Sequence, residues 1–600
     1  MASGDFSAVA LEGATAAEAA SQRATAFEAL SDWAPRVAAG RVSSDDRDES
    51  LASVELSFRW DLEINGAAGS WDYTTSTQLA RIDGQWRAHW SPTLLAPDLT
   101  EDEYLTVRRV QGRRADVLGA HDTTLVTYRP VHRLGVDKTL IDPSGWDTAA
   151  RSFASAVSLD EDAYAARVAA AGDRAFVEAL TVREEDPEHD VNALTAIPGV
   201  RAIADDVPLA PTRTFARPIL GTVGPATAEI VEQSDGTVTA GDLTGLGGLQ
   251  KQFDEQLRGE PGLAVIARAA SDGAHRELFR VEPASGQPLR TTLMLEMQRA
   301  AETVVSDVTD SASAVVAVRP STGEILAAAS GPGGDGTSTA TLGMFPPGST
   351  FKVASSLALL RSGLTPESTL SCPSTTTVDG RDFRNYPSYP VSALGEISLR
   401  TVIAESCNTA LINAADRAPQ EALAAAGEAL GLSADVDLGF AAALGKVPAE
   451  ADGRTDHAAS MIGQARVQAT PLGMATVAAS VAAGHRVTPV LLPDAEVSTP
   501  EPAQPLTQTE ADALRSMMRA VVTEGGGAFL SDIPGAEVIA KSGTAQYGTG
   551  ENLLNHAWMI AAQGDLAVAV FVETGDYGST TSGPLLESFL RSAAWIETDS

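Results

Sequence analysis

Two apolar stretches, one near each end of the C-terminal half, most constrain the fold of this chain. SAVVAVRPSTGEILAAAS, at 313–330, has two apolar runs around a Pro-Ser-Thr-Gly turn, and HAWMIAAQGDLAVAVFVE, at 556–573, turns at Gln-Gly-Asp. Apolar runs joined by such short turns predict β-hairpins. The Ala-rich segment between them has a mostly helical pattern, and a further helix is predicted over about 584–595. We therefore predict one antiparallel sheet, assembled from both ends of this segment and packed against helices.

The first part of the chain predicts a smaller α+β unit. An Ala-rich helical stretch covers about 15–30, and alternating strands follow at 53–64, 70–82 and 85–90. Asn-Gly and Asp-Gly pairs separate these strands, as in tight antiparallel turns. Four tryptophans in the strands are predicted to form the core of a curved sheet: Trp60, Trp71, Trp86 and Trp90.

The region from about 111 to 297 has a mixed pattern. Helices are predicted over 146–157 and 160–171, and short strands with Gly/Pro-rich joints follow. No phosphate-binding loop, metal-ligand spacing or catalytic cluster is evident in its sequence, so we expect a non-catalytic pedestal. The fold class is thus multidomain α+β, with predicted domains at 1–110, 111–297 and 298–600.

The acidic composition disfavours negatively charged partners. The 600 residues contain 43 Lys plus Arg against 79 Asp plus Glu, a formal net charge of -36. So acidic a surface disfavours nucleic acid as a partner. The sequence contains no run of about 18 apolar residues that could span a bilayer and no signal-peptide pattern at its start. Two locations stay open: the cytosol, or the outer face of a membrane with an anchor that precedes these residues.

Ser349 and Lys352 form a candidate nucleophile and base. Pro-Pro-Gly precedes Ser349, and the following VASSLALLRSG predicts a helix that ends near Gly363. Lys352 is three residues on and so lies on the same helix face as the hydroxyl. A serine becomes nucleophilic when a neighbouring base takes its proton, and a lysine is such a base only where its surroundings favour the neutral amine. Alone this spacing is a weak signal, because a capping serine and a surface lysine produce it too.

Two further polar motifs strengthen that hypothesis. Ser406 and Asn408 flank Cys407 after the helical pattern ISLRTVIAE, where they can present a hydroxyl and an amide to one cleft. The third motif follows the apolar run EVIA on a predicted strand, and it consists of Lys541, Ser542, Gly543 and Thr544. Glycine in a strand allows close backbone approach. The three motifs in this order, each in suitable local structure, predict an acyl-transfer site.

The motifs S-T-F-K, S-C-N and K-S-G-T resemble the conserved set of penicillin-binding proteins and serine β-lactamases. The segments I-G-Q-A at 462–465, T-P-L at 470–472 and H-A-W at 556–558 are similar to further parts of the transpeptidase domain. FARPILGTVG and TTLMLEMQRAAE resemble the family's pedestal, which is of the dimerisation type. The first hundred residues resemble the nuclear-transport-factor-2-like domain of some class B members. The resemblance therefore implies a class B penicillin-binding protein that acts as a monofunctional D,D-transpeptidase.

The resemblance also implies roles for the first two motifs. Ser349 attacks the carbonyl of a D-Ala-D-Ala stem peptide, and Lys352 accepts the serine proton. Ser406 relays a proton to the leaving amine, and Asn408 orients Lys352 and the substrate amide.

In the third motif, Lys541 is expected to supply positive charge near Ser406. Ser542, Gly543 and Thr544 are expected to bind the substrate, with the two hydroxyls on its carboxylate. The N–H groups of Ser349 and Thr544 would form an oxyanion hole, where one donor is typically worth about 10²–10³ in rate.

The expected partners follow from this chemistry. An acceptor amine would attack the acyl-enzyme and form a peptidoglycan crosslink, with a carboxypeptidase side activity where water attacks instead. β-Lactam antibiotics mimic the dipeptide and would acylate Ser349. The resemblance further implies a membrane-embedded glycan polymerase as partner, a role in cell shape or cell division, and anchorage at the extracytoplasmic face of the cell membrane. No cofactor and no metal ion is implied.

The chain has two cysteines, Cys372 and Cys407. The sequence leaves open whether they form a disulfide or remain two buried thiols. A disulfide would fit an extracytoplasmic compartment.

Two alternatives share the motifs. A β-lactamase needs a glutamate and a water for deacylation; no loop of that kind is recognisable, and Glu405 belongs to the helical pattern before Ser406. The second alternative is a catalytically slow β-lactam-binding sensor or scaffold of the cell-wall machinery. The intact set of Ser349, Lys352 and Lys541 argues against it.

Overall fold

The computed structural model describes residues 1–433, 435–548 and 552–599. The chain forms two compact units. The first comprises Met1–Ala115, Val223–Leu246 and Gln250–Leu289, and the second comprises Asp116–Thr222, Gly247–Leu249 and the chain from Arg290 onwards. The region predicted as a pedestal contributes segments to both units. Among the described residues, no helix combines the length and apolar character needed to cross a bilayer.

The first unit contains a five-stranded sheet, in which the predicted hairpins are present. Helix Ala16–Ala26 begins at Thr15, whose side chain forms a capping box with Glu18. Asn65 and Asp83 adopt φ values of 45° and 50° in the two predicted tight turns. The spatial order of the strands is Leu11–Glu12, Gln85–His89, Ala67–Ile82, Leu51–Ile64 and Arg36–Ser44.

Three of the four tryptophans lie in the core of this unit. Trp60, Trp71 and Trp90 are buried, and the indole N–H of Trp60 donates to the Tyr73 hydroxyl over 3.2 Å. Trp86 is 44% exposed, so its predicted burial is wrong. It lies two residues after the Gly84 turn, and alternation assigns a residue to a sheet face without showing how far the covering layer extends.

Shorter elements complete the first unit. A three-stranded sheet has the order His275–Val281, Gly262–Ala269 and Glu103–Val110, and its central strand shares the core of Trp60. The remaining strands and helices of this part of the chain are Val223–Pro225, Leu243–Gly245, Ala228–Gln233, Gly248–Gln252 and Asp254–Arg258, with Glu28–Leu30 and Pro92–Leu94 as 3-10 turns.

The N-terminal part of the second unit packs two predicted helices on a sheet. Helices Trp146–Ala156 and Glu161–Ala170 match the predicted ranges closely. Phe153 and Tyr164 are buried in this layer, where the Tyr164 hydroxyl donates to the Val177 carbonyl over 2.6 Å. The other elements are Val117–Leu118, Thr124–Asp137, Phe176–Arg183, Val200–Leu209, Leu289–Arg290, Val191–Thr195 and Arg217–Leu220.

The large antiparallel sheet of the second unit forms as predicted from both ends of its segment. Strand Ser313–Val318 pairs with Ile325–Ser330 on one side and with Leu566–Gly575 on the other. Leu566–Gly575 pairs with Leu554–Gln563, and that strand pairs with Val538–Tyr547, which ends the sheet. Every residue of Ser313–Val318 is buried, so helices cover both faces of the sheet.

Helices Leu295–Val305 and Gly578–Asp599 pack in one core with this sheet. The second of them was predicted to start near Pro584, but it begins six residues earlier and contains that proline. A proline inside a helix removes one hydrogen bond, while the neighbouring Leu586 and Phe589 are fully buried in the core. The remaining helices are Thr339–Leu342, Lys352–Arg361, Leu399–Ala404, Asn408–Asn413, Gln420–Ala429, Arg454–Ser460, Pro471–Ala483 and Gln508–Thr523. The remaining strands are Thr369–Cys372, Thr375–Val378, Arg381–Arg384, Gly395–Ser398, Gly445–Lys446 and Gln468–Ala469.

Candidate active site

Ser349 lies in a 3-10 turn, Gly348–Phe351, that leads directly into helix Lys352–Arg361. Gly348 has a φ of 53°, and a Cβ built on it would lie 2.5 Å from the carbonyl oxygen of Thr544. Only glycine combines this backbone conformation with so close an approach. The half-buried Ser349 is thus held beside the strand that carries the third motif.

Two of the family-like segments pack around this turn. The Gly348 N–H donates to the Gly463 carbonyl over 2.9 Å, and a Cβ on Gly463 would lie 2.1 Å from the Gly348 oxygen. The Trp558 indole N–H donates to the Pro346 carbonyl over 3.0 Å. These segments therefore fix the backbone that carries Ser349.

Lys352 joins the first motif to the second. Its side chain is fully buried, and its Nζ donates to the Ser406 carbonyl over 2.8 Å and to the Ser406 Oγ over 3.1 Å. A third bond, of 2.7 Å, goes to the Asn408 Oδ1. The amine is therefore held by neutral oxygen acceptors.

Ser406 adopts a left-handed backbone conformation with a φ of 57°. It connects helices Leu399–Ala404 and Asn408–Asn413. A non-glycine residue in this conformation is strained, and such strain clusters at functional sites. In this conformation both the carbonyl and the hydroxyl of Ser406 contact Lys352.

Lys541 joins the third motif to the second. Its buried Nζ donates to the Ser406 Oγ over 3.0 Å and to the Ser542 carbonyl over 2.9 Å. The Ser406 hydroxyl thus lies between two lysine amines. Further along the same strand, the Thr544 Oγ1 accepts a bond of 3.1 Å from the Gly578 N–H, and Thr544 and Ser542 are both half-buried.

The two amines lie in an environment that disfavours positive charge. Burial, together with the positive charge of Lys541, holds the pKa of Lys352 well below its usual range. Burial lowers the pKa of Lys541 to about 7. Two ammonium groups that share one hydroxyl repel each other, so the pair disfavours a second proton near neutral pH. A neutral lysine is able to act as a base.

A disulfide between Cys372 and Cys407 supports the second motif. The two Cα atoms are 6.5 Å apart, and both side chains are buried. Cys372 ends strand Thr369–Cys372, while Cys407 lies between Ser406 and Asn408. The middle residue of the motif is therefore covalently tied to a neighbouring strand.

Sequence reasoning missed the residues that hold Asn408. The Asn408 Nδ2 donates to the Arg384 carbonyl over 2.9 Å, and its backbone N–H donates to the Asn385 Oδ1 over 2.8 Å. A backbone carbonyl leaves no residue-specific signal, and Asn385 lies in R-N-Y-P-S-Y-P, which resembles an ordinary proline-rich turn.

Comparison with known proteins finds two matching family models. The chain matches the model of the penicillin binding protein transpeptidase domain over residues 313–591, and that of the penicillin-binding protein dimerisation domain over residues 109–291. The peptidoglycan D,D-transpeptidase PbpA of Mycolicibacterium smegmatis is 32% identical over 389 residues, which cover 56% of this chain and 77% of the relative.

Two further relatives extend the match. PbpA of Mycobacterium tuberculosis is 34% identical over 331 residues, 45% of this chain and 64% of the relative. Penicillin-binding protein 3 of Bacillus subtilis is 22% identical over 585 residues, 90% of this chain and 85% of the relative. This chain belongs to the class B penicillin-binding proteins, the family of transpeptidase and dimerisation domains.

Proposed function

We propose that this protein is a peptidoglycan D,D-transpeptidase that forms an acyl-enzyme on Ser349 from D-Ala-D-Ala stem peptides. The observation that carries the proposal is the buried Lys352 amine, which contacts Ser406 and Asn408 while Ser406 contacts Lys541. Nucleophile and base thus come from one segment of the chain, the proton relay from a second, and the lysine that contacts the relay from a third. The names of the two PbpA relatives support the same reaction.

In the first half-reaction, the Ser349 Oγ forms a bond to the penultimate D-Ala carbonyl carbon, and its proton moves to the Lys352 Nζ. The N–H groups of Ser349 and Thr544 stabilise the oxyanion. The C–N bond to the terminal D-Ala then breaks. Lys352 returns a proton to Ser406, and Ser406 gives its own proton to the departing amine, which leaves as free D-Ala.

In the second half-reaction, an acceptor amine attacks the ester carbon, and the bond to the Ser349 Oγ breaks. The amine loses a proton to Lys352, which passes it back to Ser349, so the free enzyme is restored. Attack by water instead would produce the carboxypeptidase side activity.

The third motif supplies charge and binds the substrate before the terminal D-Ala leaves. Lys541 carries the positive charge while Lys352 is neutral, and Ser542 and Thr544 bind the substrate carboxylate beside Gly543.

Covalent labelling with a fluorescent penicillin tests the proposal. We expect the wild type to be labelled on the peptide that contains Ser349, and Ser349→Ala to remain unlabelled. Ser362→Ala is the matched control. Ser362 follows the C-terminal end of helix Lys352–Arg361, so this variant should label like the wild type. A wild type that stays unlabelled, or a labelled Ser349→Ala, would refute the acyl-enzyme.

Turnover separates the proposal from its two alternatives. With a stem pentapeptide donor and an amine acceptor, the wild type should release D-Ala and form the crosslinked product, measured by mass spectrometry. Stable penicillin labelling without release of D-Ala would favour the sensor or scaffold. Rapid loss of the label would favour a β-lactamase.

The proposed regions are a nuclear-transport-factor-2-like domain at 1–110, a dimerisation-type pedestal at 111–297 and the transpeptidase domain at 298–600. The matched family ranges support the last two. A helix with a sheet of long antiparallel strands supports the first. Because Trp60, Trp71 and Trp90 lie in the core of that first region, we propose a structural role for it.

We also propose that the protein works at the extracytoplasmic face of the cell membrane, held by an N-terminal anchor and beside a membrane-embedded glycan polymerase. Peptidoglycan lies on that side of the membrane, and the disulfide suits an oxidising compartment. Fractionation of cells that express the full gene product, followed by penicillin labelling of the membrane fraction, tests the location.

A further inference from the structure

The contacts around Asn408 point to a residue outside the three motifs. We propose that Asn385 is a positioning residue for the acyl-transfer reaction, and that it acts by holding Asn408 where its amide oxygen contacts the Lys352 amine. This inference rests on the proposed function. Its basis is a chain of hydrogen bonds from Asn385 through Asn408 to Lys352.

Asn385 caps the short helix that begins at Asn408. Its Oδ1 accepts from the Asn408 N–H over 2.8 Å and from the Thr409 N–H over 3.2 Å. The first N–H groups of a helix have no partner within the helix, and here a side chain from a separate hairpin supplies one. The third of these groups, the Ala410 N–H, donates to the Cys407 Sγ over 3.3 Å.

The amide of Asn385 is itself held in place. Its Nδ2 donates to the Pro373 carbonyl over 3.3 Å and to the Thr409 Oγ1 over 3.4 Å. Pro373 follows the disulfide-bonded Cys372 in the chain. Asn385 is therefore anchored to the same strand end that the disulfide ties to the second motif.

Three hydrogen bonds hold Asn408 in place. Asn385 holds its backbone N–H, the Arg384 carbonyl accepts from its Nδ2 over 2.9 Å, and its Oδ1 accepts from the Lys352 Nζ over 2.7 Å. Because the NH₂ group donates to Arg384, the oxygen must face Lys352. Loss of Asn385 would leave two helix N–H groups without their acceptor and free the helix start to move. A displacement of about 1 Å at a catalytic group can cost about 10²-fold in rate.

Asn413 provides a matched control on the same helix. Its Oδ1 accepts from the Thr376 Oγ1 over 2.6 Å, and its Nδ2 donates to the Ser371 carbonyl over 3.4 Å. Asn413 thus joins helix Asn408–Asn413 to the segment at 371–376, which Asn385 also contacts. It does so from the C-terminal end of the helix, away from Asn408. If Asn385 only docked the hairpin, Asn413→Ala would have an equal effect.

The experiment measures the second-order rate of Ser349 acylation by a fluorescent penicillin in the full chain. We expect Asn385→Ala to lower the rate at least tenfold, and Asn413→Ala to change it less than about twofold. Asn385→Asp, whose carboxylate can accept the same two N–H bonds, should restore the rate to within about threefold of the wild type.

A double-mutant cycle then tests whether Asn385 acts through Asn408. Asn385→Ala should add less than about threefold to the defect of Asn408→Ala, since coupled residues are not additive. Multiplicative defects, or an Asn385→Ala rate equal to that of Asn413→Ala, would overturn the proposal.

Two controls separate the ways in which the experiment can fail. Circular dichroism shows whether each variant folds; if Asn385→Ala does not, Asn385→Ser, which removes the amide but keeps a polar side chain, takes its place with the same expected loss. Labelling of wild type but not of Ser349→Ala is measured in parallel. If that pattern fails, the proposed function is wrong, whereas if it holds and Asn385 has no effect, only the positioning role is wrong.

Discussion

Buried cations have different partners in the two compact units. In the first unit, Arg109 pairs with Asp242, and Arg114 contacts Asp254 over 2.6 Å. In the second unit, the amines of Lys352 and Lys541 contact hydroxyl, carbonyl and amide oxygens, and neither forms an ion pair among the described residues.

The buried arginines of the first unit stabilise the fold, whereas the buried lysines of the second unit are suited to chemistry. A buried cation with a carboxylate partner stays charged, and breaking such a pair is costly. Lys352 and Lys541 are buried without such a partner and have lowered pKa values, which suits a base that must be neutral before it can act. The two regions therefore respond differently to substitution.

The largest effect is expected for Lys352→Arg. A guanidinium stays protonated at any accessible pH, so it cannot take the Ser349 proton. We expect the acylation rate to fall by about 10³-fold or more, measured with a fluorescent penicillin on protein shown to be folded. A rate within tenfold of the wild type would mean that Lys352 is not the base.

The next effect is expected for Arg109→Met, which leaves the buried Asp242 without its ion-pair partner. Removing one partner of a buried pair should lower the free energy of unfolding by about 3 kcal/mol. Urea unfolding, followed by a probe in the first unit such as the tryptophan fluorescence, measures the loss. The acylation rate of Ser349 should stay unchanged. A parallel loss of rate would contradict the assignment of a purely structural role to the buried ion pairs of the first unit.

A smaller, pH-dependent effect is expected for Lys541→Met. The pKa of Lys541 is about 7 in the folded protein against an ordinary value of 10.5. Between these values the unfolded chain binds more protons, so the stability of the wild type rises with pH; below pH 7 the cost of charging the buried amine is fully present. Methionine has no such cost. Lys541→Met should therefore raise the urea midpoint more at pH 6 than at pH 9, and an equal shift at both would contradict the lowered pKa.

The smallest effect is expected for Arg59→Gln in the first unit. Arg59 and Asp61 are 3.2 Å apart, but their side chains are 50% and 51% exposed. Exposed ion pairs contribute little to stability, so the thermal midpoint should stay within about 1 °C of the wild type. A larger drop in the thermal midpoint would show that exposed ion pairs also stabilise this unit.

Most of the large sheet could be predicted from the sequence, because its hairpins are local. The apolar runs at 313–330 and 556–573 specify strand pairs through alternation and turn residues that lie close together in the chain. Trp86 and the start of helix Gly578–Asp599 were predicted wrongly. The burial of Trp86 and the first residue of that helix both depend on how far a layer of the core, distant in sequence, extends.

The candidate site shows the same division. Ser349, Lys352, Ser406, Asn408 and Lys541 have residue types and spacings that indicate acyl transfer. Arg384 contributes a backbone carbonyl and Asn385 an amide, and neither stands out in the sequence. The roles of the motif residues stay predictions until labelling and turnover are measured.

The sequence alone determined the hairpins, the order of the three motifs and the chemical types they carry, because these depend on neighbours within a few residues. Only the tertiary structure decided that two buried lysines from segments far apart in the chain share one serine hydroxyl. The pKa of an amine depends on desolvation and on the charges around it, and both are set by which segments pack together.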